Sequence, residues 1–159
     1  MTSKAQHLSR SSKTPPDTFR RLLSMERTET TPAHTRINLG DVEDSAAAHG
    51  FGAHQESRFA TRDLGAERTG VGFHRVKAGR RQAFAHRHDE AEEVYVVLGG
   101  SGRAKVEDEV FELTRLDAIR VSPGAARSFE GGPDGLELIV FGQRHEGDGE
   151  ILQGWWPED

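Results

Sequence analysis

In the stretch AHRHDEAEEVYVVLGGSG, His86 and His88 stand one residue apart, and four residues separate His88 from Glu93. Along a β-strand alternate side chains share a face, so the two imidazoles project together while Arg87 points away. Two imidazoles and one carboxylate suit a divalent first-row metal (iron, manganese, zinc, nickel or copper) with positions left for water or substrate. The chain has no cysteine, which removes thiolate ligands, thiol nucleophiles and disulfides. Spacing alone leaves a second reading standing, in which the histidines are a solvated pair beside the acidic turn at residues 89–92.

The three groups meet only if short strands bring them together. Glu93 opens an apolar run in which Tyr95 and Val97 share its side. The expected arrangement pairs this run with the strand carrying His86 and His88, and Gly99-Gly100-Ser101-Gly102 reads as a hairpin turn. That glycine turn is no phosphate loop, because no Gly-Lys-Ser/Thr follows it. From GVGFHRVKAG to GLELIVFG, short β-prone runs recur with Gly, Pro and Asp between them, and no long amphipathic helical pattern separates them. This predicts an all-β antiparallel sandwich or barrel. Ahead of it, INLGDVEDSAAAHG predicts one short helix with Asp41 as its N-cap and Gly50 as its stop.

A resemblance comes in with the spacing: Gly79, six residues, His86-Arg87-His88, four residues, Glu93, six residues, Gly100. This resembles the first motif of the cupin superfamily, with one extra residue after the first glycine. LDAIRVSPGAARSFE is similar to the second cupin motif, with Leu116-Asp117 where Gly-Asp is common and Ser122-Pro123-Gly124 at the proline-glycine turn. Arg127 stands where the family usually supplies another metal-binding histidine, and Glu130 replaces a frequent asparagine. The resemblance covers residues 68–143. It implies a double-stranded β-helix, a small jelly-roll barrel that is often dimeric, with His86, His88 and Glu93 as metal ligands. It allows isomerase, dioxygenase and decarboxylase chemistries, among which a fold does not choose.

Arg127 would repel a neighbouring cation. It therefore either grips a substrate carboxylate or phosphate, caps the rim, or pairs with Glu90, Glu92 or Glu130. Tyr95 lines the interior, either as a core residue or as a substrate contact. His74, one strand earlier, is a pocket candidate. His145 is a weaker one, on a loop over the mouth. His7, His34, His49 and His54 read as bystanders, and residues 77–81 (KAGRR) as a solvated basic turn. Of Trp155-Trp156, one ring is expected on the barrel and the other against a partner.

At 159 residues the chain suits one domain. Residues 1–35 carry six Lys/Arg against three Asp/Glu and are Ser/Thr-rich with a Pro15-Pro16 break, so they read as a disordered tail, with Met25 a candidate start. Residues 36–159 are expected to form the domain. The net charge of −5 gives no sign of nucleic-acid binding, and no apolar run is long enough to span a membrane. A cytoplasmic homodimer that binds a small molecule is the expectation. Its function reads as a metal-dependent enzyme on a small polar or anionic substrate. The alternatives are a non-catalytic binding barrel, with or without metal, using Arg127 for an anion, and a structural barrel with a vestigial site.

Overall fold

The computed structural model describes residues 32–144 and 147–157. The tail up to residue 31, Met25 and His145 lie outside them. The β-prone runs become eight strands: β1 (Gln55–Phe59), β2 (Thr69–Val76), β3 (Ala85–His88), β4 (Glu93–Val106), β5 (Glu109–Thr114), β6 (Ala118–Val121), β7 (Arg127–Gln143) and β8 (Gly149–Leu152). They form one curled antiparallel sheet in the order β1-β2-β7-β3-β8, with β4 pairing β5, β6 and β7. All of these elements belong to one compact unit, Thr35–Asp159.

Two long strands organise it. EEVYVVLGG and GRAKVED, separate runs by sequence, are the single 14-residue β4, and RSFEGG and GLELIVFG are the single 17-residue β7. The glycine stretch at 99–102 is therefore no hairpin turn. It lies inside β4, where the β7 ladder slips between Val97 and Gly99 and again between Gly100 and Gly102. Glycine is required here by close approach. A Cβ on Gly102 would overlap the Glu130 carbonyl, and one on Gly100, at φ +71°, would overlap that of Gly135.

The strand period then sorts the side chains. Tyr95, Val97 and Ala104 of β4 join Val76, Leu113, Val121, Phe129, Leu136, Leu138 and Val140 in the core. Glu93 shares the inward face of β4 with Tyr95 and Val97, while Leu98 faces solvent.

The N-terminal helix is Ser45–Ala48, capped by Asp44, whose carboxylate accepts from Ala46 N at 3.0 Å. Asp41 does not cap it; it ends a separate 3-10 turn, Leu39–Asp41. Asp44 wins because the same oxygen also accepts from Ser57 N at 2.9 Å, tying the helix to β1. Leu116 takes φ +73°, the left-handed conformation that a glycine at that place would adopt freely.

The KAGRR turn is not wholly solvated: Arg81 is buried, and its Nε donates to Glu130 at 2.6 Å. Arg103 donates to the other Glu130 oxygen, at 2.7 Å from Nη2. Both guanidiniums stack on Trp156, at 4.8 and 5.8 Å from its ring centre, and Lys105 Nζ lies 4.2 Å from that of Trp155. Both Trp rings are thus half-buried against barrel cations. Among the described residues, no helix is long and apolar enough to cross a membrane.

Candidate metal centre

His86 and His88 alternate with outward-facing Arg87 on β3, so both imidazoles enter the barrel; their ring centres are 5.4 Å apart. Strand β3 pairs with β7 and β8, not with β4 as the hairpin expectation had it. Glu93 reaches the histidines because the turn at 89–92 carries the chain from β3 to β4, whose inward face points at the same space. His88 Nε2 lies 3.3 Å from Glu93 Oε1, and His86 Nε2 lies 3.7 Å from Oε2. One ligand atom from each of the three residues falls within 4.8 Å of the others.

The His88–Glu93 spacing fits a shared metal ion, and that of His86 is a few tenths of an ångström wide of it. Donors about 2.1 Å from a shared ion stand roughly 3.0–3.4 Å apart in octahedral or tetrahedral geometry. The tautomer of His88 also fits. Its Nδ1 donates to the Asp148 carbonyl at 3.2 Å, and a carbonyl can only accept, so Nε2 is the nitrogen left toward Glu93 and the cavity, a donor to Glu93 when the ring is protonated and a free ligand atom when it is neutral. Asp148 is itself fixed, because its carboxylate accepts from the backbone N–H of Asp89, Glu90 and Ala91 at 2.8–3.0 Å. Those bonds outweigh burial and hold it below the usual carboxylate range.

Behind Glu93 stands Arg127, 1% exposed. Its Nη2 donates to Glu93 Oε2, its Nε to the Tyr95 hydroxyl at 3.1 Å, and its Nη1 to the His86 carbonyl at 3.3 Å. The Tyr95 hydroxyl also donates to Glu93 Oε2. Arg127 therefore pairs with Glu93 rather than with Glu90, Glu92 or Glu130, and it is not among the residues lining the cavity. Tyr95 is both a core residue and a support for the carboxylate.

The electrostatics follow. Burial pushes the Glu93 carboxyl up, but the two histidines, Arg127 and Tyr95 together hold it far below the ordinary range. Burial pulls His86 below its usual value despite Glu93. For His88 the hydrogen bond to Glu93 dominates and raises it. Burial and the Glu93 charge push the Tyr95 phenol up.

The cavity has a volume of about 480 Å³. His86, His88, Glu93, Tyr95 and His74 line it, together with the apolar Phe51, Phe59, Phe84, Val71, Val140 and Ile151. His74 enters from β2, where Gly72, His74 and Val76 share the inward face. His49, read as a bystander, also lines the cavity. Asp148, Gln55 and Ser57 carried no signal in the sequence: β1 and β8 lack a clean apolar alternation, and their partners are far away in the chain.

The comparisons with known proteins agree with this architecture. No protein-family model matches the chain, and no curated protein matches it. Solved structures do. A protein from Acidithiobacillus ferrooxidans shares 24% identity over 63% of this chain at TM-score 0.55, and this chain spans 66% of its length, just under two thirds. A cupin protein from Bacteroides fragilis shares 18% identity at TM-score 0.57, covering 81% of this chain and 92% of that one. A sugar phosphate isomerase of the cupin superfamily from Silicibacter pomeroyi shares 16% at TM-score 0.58, covering 76% and 93%. This chain has the cupin fold, a double-stranded β-helix.

Proposed function

We propose that the barrel binds one divalent first-row metal through His86, His88 and Glu93 and acts as a metal-dependent enzyme on a small oxygen-bearing molecule held in the cavity. One observation carries this: the ligand atoms of the three residues converge within 4.8 Å of one another in the wall of a cavity of about 480 Å³. A bound ion would supply Lewis-acid polarisation of a substrate oxygen, or dioxygen chemistry if it is iron. The chain's own residues do the rest. Arg127 and Tyr95 hold Glu93 ionised and aimed, with Oε1 turned toward His88. Asp148 fixes the His88 ring. Phe51, Phe84 and Val140 reduce the water around whatever binds. Isomerase, dioxygenase and decarboxylase activities all remain within this proposal, as do a cytoplasmic location and a homodimer, which fractionation and light scattering test.

A second reading has its own observation. Glu93 is already neutralised by Arg127, so the cluster is satisfied without a metal, as a metal-free binding barrel would be. Elemental analysis of the purified protein beside His86→Ala/His88→Ala separates the two. About one equivalent of a first-row metal, lost in the double variant, is the expected result. Absence of metal from both proteins after incubation with added divalent ions would overturn the metal reading and leave the binding barrel.

A further inference from the structure

Beyond the three ligands, the cavity holds a buried polar chain that the metal site does not use. Ala83 N donates to Gln55 Oε1 at 3.2 Å, which fixes the amide so that Gln55 Nε2 donates to Ser57 Oγ at 2.9 Å. Ser57 Oγ in turn lies 3.0 Å from His74 Nδ1. Gln55, Ser57 and His74 are 4%, 4% and 8% exposed, so an unpaired polar hydrogen among them would be costly. The Ser57 hydroxyl already accepts from Gln55. With Ser57 donating to His74 Nδ1, the hydroxyl hydrogen is used inside the chain, and the His74 proton sits on Nε2. That nitrogen has no partner among the described residues and belongs to a ring that lines the cavity. Gly72 keeps it uncovered, since a Cβ there would lie 3.5 Å from it.

The remaining walls narrow the ligand class. Phe51, Phe59, Phe84, Val71, Val140 and Ile151 make most of the cavity apolar, and Phe59 and Ile151, 56% and 55% exposed, form an apolar lip. Among the described lining residues there is no Lys or Arg, and Arg127 is turned to Glu93. A phosphate or carboxylate group would find no Lys or Arg in the lining to pair with, only an ion held by His86, His88 and Glu93. A neutral oxygen would meet a neutral donor.

We propose that the cavity takes an uncharged carbonyl compound with an aromatic or branched hydrocarbon body, whose oxygen accepts a hydrogen bond from His74 Nε2–H, the tautomer being set by Gln55 and Ser57. The proposal rests on reading the cavity beside His86, His88 and Glu93 as the functional site. It makes His74 a specificity-determining contact, and Ser57 and Gln55 positioning residues that act through it. Burial supports the neutral ring, since His74 is pulled down to about 4.

The test is nitrogen-15 NMR of the histidine rings in the full chain, with and without bound zinc, and titration with benzoylacetone and glucose 6-phosphate as probes. The expected results are an Nε2–H pattern for His74 that Ser57→Ala abolishes, a shift of that signal on adding benzoylacetone, and benzoylacetone binding tighter than glucose 6-phosphate. His74→Phe should weaken benzoylacetone binding about tenfold, the worth of one hydrogen bond, and His74→Gln, which keeps a donor, should restore most of it. Circular dichroism and metal content of the variants, both expected to match the parent, separate a lost contact from a lost fold or a lost ion. An Nδ1–H tautomer, equal binding by His74→Phe, or preference for the sugar phosphate would overturn the proposal. Metal failing to bind while the tautomer and the benzoylacetone results hold would sink the metal reading and leave this one standing.

Discussion

The Arg127 guanidinium is committed to Glu93 and Tyr95. At the scale of the residue, this is a buried charge pair whose partners depend on each other. Arg127→Met should lower the stability of the metal-free protein by about 3 kcal/mol, because the Glu93 carboxylate is left buried without its counter-charge. Added zinc should recover part of that loss, the cation taking over as partner to Glu93. Urea denaturation with and without chelator measures both effects. Equal stability of variant and parent would mean that His86 and His88 alone carry the carboxylate.

At the scale of the element, the site depends on two strands bending where glycine lets them. Strand β4 presents Glu93 inward at one end and Gly102 against the Glu130 carbonyl further on, with the ladder to β7 slipping twice between Val97 and Gly102. Gly102→Ala has no room, and the carbonyl that must yield is backbone. A loss of about 3 kcal/mol or more is expected, or failure to fold. Thermal melts of the purified variant check this, and an unchanged melting temperature would show that β7 can move away from β4 at little cost. The helix Ser45–Ala48 is short and rests on Asp44, a single carboxylate shared between a cap and β1.

At the scale of the molecule, several buried groups titrate against folding in acid. His74 is held near 4 in the fold against about 6.5 in the unfolded chain. Between those values the unfolded chain binds a proton that the folded one refuses, so stability falls as pH drops from 6.5 to 4, by about 3 kcal/mol from this group. Glu93, Glu130, Asp44 and Asp148 are all held low, so their contributions are present above pH 4–5 and are lost as pH falls further. His88, raised by Glu93, works in the opposite sense and softens the upper part of the decline. Denaturant midpoints between pH 7 and 4 should therefore fall steadily, and His74→Asn should flatten that slope whatever its effect at pH 7. A parent midpoint flat over this range would mean that His74 is solvated.

What is local in period could be read along the chain. His86, His88, Glu93 and Tyr95 were legible because the two-residue repeat of a strand sets which side chains share a face, and the all-β class followed from short runs between turn residues. The rest depends on contacts between segments far apart in the chain. Arg127 meets Glu93 across 34 residues, His88 meets Asp148 across 60, and the Gln55–Ser57–His74 chain joins two strands of which β1 showed no apolar alternation. Strand β3 pairs with β7 and β8 rather than with its neighbour β4, and those partners lie about 40 to 65 residues further along the chain, beyond the reach of a local pattern.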